Sequence, residues 1–342
     1  MNKKSVVIFC LIISLMMIAG CSSSTPASES KASESKASTP AASGESPQKE
    51  WKFERKVEIV IPFGPGSGTD TTIRAFAPLL EKEIGVPITI NNVSGASGVK
   101  GAEYLNSQPA DGYTYALYTP SHLIAAIAKT ANFDIFNETE PVARLVFDAN
   151  VIFAGKNVPY NNFKELVEYA KANPGKAKIG LMSVTGIDAV SVQELFDLAG
   201  IDVPLVPYAS GAEANAGVMG GHIDMVLSSP FDANTYLESG DMKGIVILSE
   251  KRASTISDVE CTKELGYEAY IGPWRGIVAK KGIPEGAIEA LEAAIVKAND
   301  SKEWTDWKES VSLNDRPGFA NREEFKKIWS EYYEKMKKAL DK

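Results

Sequence analysis

Strand-like and helix-like hydrophobic patterns alternate along almost the whole chain from residue 57 onward. Residues 57–63 are apolar apart from Glu58, as expected of a buried strand. Residues 70–83 then carry Ile73, Phe76, Ala77 and Leu80, followed by Ile84, at helical spacing. Pro78 lies inside that helix and is expected to bend it or to remove one backbone bond. Residues 88–90 read as a short strand, 99–105 as a helix, 115–118 as a strand and 123–129 as a helix. A second series predicts strands at 151–154, 178–181, 204–206, 225–227 and 244–248. Its helices fall at 163–172, 187–198, 213–219 and 231–237, and the first of them stops at Asn173-Pro174-Gly175. A last strand, 274–279, leads to three helices at 287–298, 302–309 and 322–340. Alternation of this kind predicts an α/β fold with mainly parallel sheets flanked by helices. Ligands of such sheets bind beyond the carboxyl ends of the strands.

Three Gly/Ser/Thr-rich loops fall at those ends. They are Gly64-Pro65-Gly66-Ser67-Gly68-Thr69-Asp70, Ser94-Gly95-Ala96-Ser97-Gly98 and Ser183-Val184-Thr185-Gly186, each running directly into a helix. Glycine lets the backbone approach a ligand closely, and the following helix offers unpaired N–H groups and the positive end of its dipole. Loops of this kind facing one cleft would hold an anion without a fixed Arg or Lys.

Composition adds the setting. The 342-residue chain carries a formal charge of −8, and loss of a leader containing Lys3 and Lys4 makes it two units more negative. A chain so acidic is a poor nucleic-acid binder, so anion selectivity has to arise locally from backbone dipoles. Lys3 and Lys4 precede an apolar stretch from Val6 to Ile18 that is short for a membrane span, the pattern of an export signal over residues 1–20. Residues 21–50 are almost wholly Ser, Ala, Glu, Lys, Thr and Pro and predict a disordered tether. Cys10 leaves with the signal, and Cys261 is the one cysteine of the folded part, so no intramolecular disulfide is expected.

Catalytic patterns fail one by one. Gly64-x-Gly66 has Thr69 where a dinucleotide loop needs its third glycine, and Lys100-Gly101 reverses the order a phosphate-binding loop requires. His122 and His222 lack partners at metal-ligand spacing, and capping or turn roles account for both. No nucleophile–base pair supports a secreted hydrolase, and no cofactor or metal is implied. Trp304, Trp307 and Trp329 fall on the terminal helices, where packing is the default role. Phe63 and Trp274 flank predicted cleft segments, which leaves them open to either packing or a ligand wall.

The ordered set of motifs resembles the extracytoplasmic solute receptors of tripartite tricarboxylate transporters, the Bug-type receptors. The set begins with Ile61-Pro62-Phe63-Gly64-Pro65-Gly66, Thr69-Asp70 and Arg74. Asn92-Val93-Ser94-Gly95-Ala96-Ser97-Gly98 with Gly101 follows, then Ala110-Asp111-Gly112-Tyr113-Thr114. Val206-Pro207-Tyr208, Gly220-Gly221-His222-Ile223-Asp224 and Trp274 with Gly276 complete it. The segment Ile18-Ala19-Gly20-Cys21 resembles a bacterial lipobox, which implies lipidation of Cys21 and an extracytoplasmic protein anchored to the bacterial cell membrane.

The resemblance implies a two-lobed periplasmic-binding-protein type II fold. Lobe 1 would comprise residues 51–150 and 275–342 and lobe 2 residues 151–274, with crossings near 146–153 and 269–274. It implies a small carboxylate held by main-chain groups and water and handed to one large and one small membrane subunit by a monomeric receptor. Carried over by position, Phe63, Gly66, Ser67, Thr69 and Asp70 would form one wall and Ser94, Gly95, Ala96, Ser97 and Gly98 the floor. Ser183, Thr185, Gly186, Tyr208 and Ser210 would contribute from lobe 2. Asp70 fits either a helix-capping role or contact with a ligand ammonium or water. For Arg74, pairing with Asp70 at i,i+4 spacing is preferred to ligand contact. The chain departs from the family at Val184 and Val190, where the second-lobe loop is usually richer in Gly and carries a His. That less polar wall suits a branched or aromatic acid as well as a di- or tricarboxylate. A ligand-capturing sensor or scavenger with no transport role is the alternative.

Overall fold

A computed structural model describes residues 51–182, 184, 186–208, 210–230 and 236–340. The proposed signal, tether and Cys21, most of the expected helix at 231–237, and two expected site residues, Ser183 and Thr185, lie outside them.

Two five-stranded sheets organise the described chain. The first contains β1 (Val57–Ile61), β2 (Ile88–Asn92), β3 (Thr114–Tyr118), β4 (Thr139–Phe147) and β10 (Trp274–Lys280), in the spatial order β2-β1-β3-β10-β4. The second contains β5 (Asn150–Gly155), β6 (Ile179–Leu181), β7 (Leu205–Pro207), β8 (Met225–Ser228) and β9 (Met242–Leu248), in the order β7-β6-β8-β5-β9. Each sheet has three parallel strands, β2, β1 and β3 in one and β7, β6 and β8 in the other. The remaining two strands of each pair antiparallel. The sheets are therefore mixed, because the chain enters each from the other lobe at β5 and at β10 and runs against the parallel strands there.

Helices cover both faces of each sheet. On the first they are α1 (Gly68–Ile84), α2 (Val99–Ser107), α3 (Pro120–Ile127) and the single turn α4 (Ile135–Glu138). To these are added α8 (Glu285–Asn299), α9 (Lys302–Ser310) and α10 (Arg322–Leu340) from the end of the chain. On the second they are α5 (Phe163–Ala172), α6 (Ile187–Ala199) and α7 (Gly211–Met219). α1 runs through Pro78 and stops at Gly85, which takes the left-handed φ of 74° that suits a glycine C-cap. Its apolar stripe of Ile73, Phe76 and Leu80 buries against β1, α8 and Trp304. The opposite face of the sheet holds Val60, Tyr118, Trp274, Phe325 and Trp329. Each such fully buried side chain contributes about 1.5–3 kcal/mol.

The chain passes between sheets at Asp148-Ala149 and returns at residues 271–273. The two crossings touch, since the Asp148 amide donates to the Pro273 carbonyl at 2.8 Å. Arg316, buried among both, donates to the carbonyls of Asp148 and Tyr270 at 3.0 and 3.1 Å and to Glu250 at 3.0 Å, and stacks on the Phe147 ring. A guanidinium is suited to this junction, because its planar fork reaches several acceptors at once.

Candidate functional site

The loop after β1 is shaped by one buried carboxylate. Asp70, in the first turn of α1, accepts from the Gly66 amide at 2.9 Å, from Asn92 Nδ2 at 2.9 Å and from Arg74 Nε at 2.9 Å. Asn92, the last residue of β2, also donates to the Phe63 carbonyl at 3.0 Å and accepts from Arg74 Nη2 at 3.0 Å. The Arg74 hydrogen bond is the main reason the Asp70 carboxyl is held down at about 2, with the Gly66 amide and Asn92 adding to it against the cost of burial. The expected i,i+4 pairing of Arg74 with Asp70 is present. The Asp70 carboxylate is spent on holding the loop, and it is 2% exposed.

Ser67 begins α1 as its N-cap and accepts from the Asp70 amide at 3.3 Å, while its hydroxyl meets that of Thr69 at 3.0 Å. Capping hydroxyls of this kind contribute about 1 kcal/mol. Ser67→Ala is expected to lower the stability of the protein by about that amount, read as a shift in the urea midpoint at unchanged slope.

The second loop is the most unusual backbone in the molecule. Gly95, Ala96, Ser97 and Gly98 all have positive φ, at 141°, 47°, 54° and 101°. Two of them are non-glycine residues in the left-handed region, a conformation that persists only where the surroundings impose it. The segment ends in a 3₁₀ turn at Ala96–Gly98 and then becomes α2, whose N-cap, Gly98, supplies no side-chain hydrogen bond. The first amides of α2 are thus left without a side-chain cap beneath four exposed residues, Ser94 to Ser97. Behind the loop, His122 stacks on Tyr118 at 3.9 Å and meets Phe63 edge-on. Its Nδ1 accepts from the Thr119 amide at 3.1 Å, so it caps α3, the bland role the sequence suggested. Phe63 and His122 join the first two loops into one surface, since a Cβ at Gly98 would stand 2.8 Å from His122 Nε2 and 3.4 Å from Phe63 Cζ.

From the second lobe, Gly186 is the N-cap of α6 and likewise offers no side-chain bond. Ile187 packs against the core of the first lobe, which brings this third loop to the interface. Its neighbours Met182 and Val184 are exposed, at 62% and 41%. Tyr208 packs within the second lobe, its ring close to Gly180 and Gly217, and Ser210 caps α7 by accepting from the Glu213 amide at 3.2 Å. A cavity of about 470 Å³ lies where the lobes meet, walled by Gly66, Gly68, Asp148, Arg275, Ser229 and Trp307 among others.

Trp274 is not a ligand wall: it is fully buried and packed on Phe325, Trp329 and Tyr332. Its neighbour Arg275, which sequence reasoning passed over, lines the cavity instead. Successive strand residues face opposite sides, so one points to the core and the next to the cleft. Cys261 is buried, and burial raises its thiol pKa, which suits an inert role. Among the described residues no group of His, Cys, Asp or Glu has the arrangement of a metal site.

Two lobes joined by two crossing strands, with helix-initiating loops meeting at the junction, define a solute-binding protein. The family described as the tripartite tricarboxylate transporter family receptor matches residues 72–340, and the chain belongs to it. That family is one of extracytoplasmic solute-binding receptors and not of enzymes. The chain is 27% identical to protein BugT of Bordetella pertussis over 253 residues, covering 72% of this chain and 77% of that one. A TctC solute-binding protein from Polaromonas superposes with a TM-score of 0.73 at 25% identity, covering 84% of this chain and 98% of the other. An R. palustris protein solved with adipate superposes with a TM-score of 0.70 at 23% identity over 84% and 97%, a likeness of fold.

Proposed function

We propose that this receptor closes on a small carboxylate and delivers it, from a lipid anchor at Cys21, to a membrane permease of one large and one small subunit. The observation that carries the reading is the second loop. Four consecutive positive-φ residues lead into α2 next to the Gly66–Thr69 turn that starts α1; the amides of Gly98, Val99 and Lys100 turn back on the Gly95 and Ala96 carbonyls, and those of residues 95–97 lie ahead of them in the exposed loop. Each helix start is worth about 0.3–1 kcal/mol to an anion at the surface and more when partly buried. Hydrogen bonds from amides to a carboxylate add about 1.5–3 kcal/mol each. On this reading the amides of residues 68–69 and 95–97 bind one carboxylate, while those of Gly66, Ser67 and Gly98 hold the loops together, and Gly186 closes over the ligand from the second lobe with Ser183 and Thr185. Tyr208 and Ser210 shape that lobe. Asp70 contributes through the loop it fixes. Closure is driven by the ligand's higher affinity for the closed state.

Residues 49–342 form one compact unit and are the natural test object. A panel of di- and tricarboxylates with branched and aromatic acids is expected to contain at least one ligand that raises the unfolding temperature and gives calorimetric heat. No response across the panel would remove the carboxylate reading. The exposed Met182 and Val184 favour a ligand with an apolar portion. A sensor or scavenger would show the same binding with no dependence of uptake on the membrane subunits.

A further inference from the structure

Arg275 stands where the start of α1 meets the crossing between the lobes. Its guanidinium lies directly on Gly68: a Cβ there would come within 2.7 Å of Nη2, so a larger residue would displace the guanidinium from its place. This places a cation beside the positive end of a helix, an arrangement that calls for negative charge nearby. Asp148 supplies some, with Oδ2 at 3.6 Å from Arg275 Nη2, beyond hydrogen-bonding distance. Both side chains are largely buried, at 15% and 11% exposed, so their charges are weakly screened. Each also keeps further partners. A guanidinium presents five donors and serves several acceptors at once. The cavity it lines has polar walls from Gly66, Thr71 and Thr72 and apolar walls from Trp307, Val311 and Leu313.

We propose that Arg275 is a specificity-determining residue, taking the second carboxylate of a dicarboxylate whose first carboxylate is held by the main-chain amides of the two loops. This rests on the carboxylate-receptor reading above. Asp148 is the resident competitor for the guanidinium, so it sets how strongly a second negative charge is preferred. Because Asp148 also belongs to the crossing between lobes, the ligand's far end is felt at the hinge.

The test uses the full chain and pairs differing by one charge, adipate against its monoamide and malate against its monoamide, by calorimetric titration. The wild type is expected to prefer the dianion of at least one pair by tenfold or more. Arg275→Gln is expected to lose at least tenfold in affinity for that dianion while its monoamide changes less than threefold. Arg275→Lys, with one point charge in place of a fork, is expected to fall between. Asp148→Asn keeps the shape that accepts the Ala149 amide and is expected to raise the dianion preference several-fold. It carries the test should Arg275→Gln fail to fold. Equal losses for dianion and monoamide in Arg275→Gln, unchanged affinities, or an unchanged preference in Asp148→Asn overturn the proposal. A wild type that binds panel carboxylates with no dianion preference also overturns it and leaves the receptor reading standing. A wild type that binds no carboxylate ends both, and that result is read before any variant is made.

Discussion

Gly98→Val is expected to weaken carboxylate binding about a hundredfold, equivalent to about 2.7 kcal/mol, in a protein that still folds. The backbone at Gly98 has φ of 101°, which a β-branched residue adopts only at a cost of roughly 1–3 kcal/mol. A Cβ would also meet His122 Nε2 at 2.8 Å and Cε1 at 3.0 Å, and that ring is wedged against Tyr118 and unable to yield. The loop has to move outward, which carries the amides of residues 95–97 away from the ligand. Gly66→Ala provides the contrast. Gly66 has φ of 80° but nothing within 4 Å of an added Cβ, so only backbone strain acts, and about a tenfold effect is expected from roughly 1 kcal/mol. Calorimetric titration with whichever panel acid binds the wild type, together with thermal unfolding of each variant, separates affinity from stability. Equal affinities for wild type and Gly98→Val would show that the second loop does not hold the ligand.

The second large effect is on acid stability. His122 has no exposed surface, and burial pushes its pKa from 6.5 down to about 4. Its neighbours are Tyr118, Phe63, Thr119 and Gly98, none of which offers a charge to compensate the imidazolium. The unfolded chain therefore binds a proton between these two pKa values while the folded one does not. Stability is complete above pH 6.5 and falls as pH drops towards 4, by on the order of 3 kcal/mol in total. Asp70 adds a lower window, since its stabilisation is present above its ordinary value of 3.8 and is lost as pH approaches 2. Urea unfolding at pH 7 and pH 5 is expected to show a fall of about 2 kcal/mol from His122. In His122→Gln that fall should largely disappear, even if the variant is less stable at neutral pH. An identical decline in both proteins would mean that the ring is not responsible.

How much of this was readable from the chain alone depends on distance along it. The loop after β1 is a local object: Gly66 for the turn, Ser67 for the cap and Asp70 three residues on for the reciprocal bond stand within five positions. The second loop announces itself through Ser94-Gly95-Ala96-Ser97-Gly98, although the left-handed Ala96 and Ser97 could not be inferred from residue types that disfavour that conformation. By contrast, β4 is absent from the strands that the pattern predicts. Its first three residues, Thr139-Glu140-Pro141, carry a charge and a proline, and Arg144 breaks the apolar run. That arginine is satisfied by the carbonyls of Gly318 and Pro317 at 2.8 and 3.0 Å, in a segment near the opposite end of the chain.

Arg275 shows the same limit at the site. Trp-Arg-Gly-Ile-Val-Ala reads as a buried strand with one awkward charge. The significance of that charge comes from Gly68 and Asp148, which belong to other elements altogether. The aromatic that drew attention, Trp274, faces the core because a strand alternates its sides, and the residue beside it reaches the cleft. Local rules locate the two loops that start α1 and α2, and tertiary placement brings Arg275 to the cavity.

The central claim is that main-chain amides at two helix starts grip the anion. Amide chemical-shift changes on titrating the ¹⁵N-labelled receptor with a binding carboxylate test it directly. The largest changes are expected on residues 68–69 and 95–97, with a smaller set at Gly186 as the lobes close. Saturable binding that leaves those amides unmoved, with its largest shifts elsewhere, would contradict it.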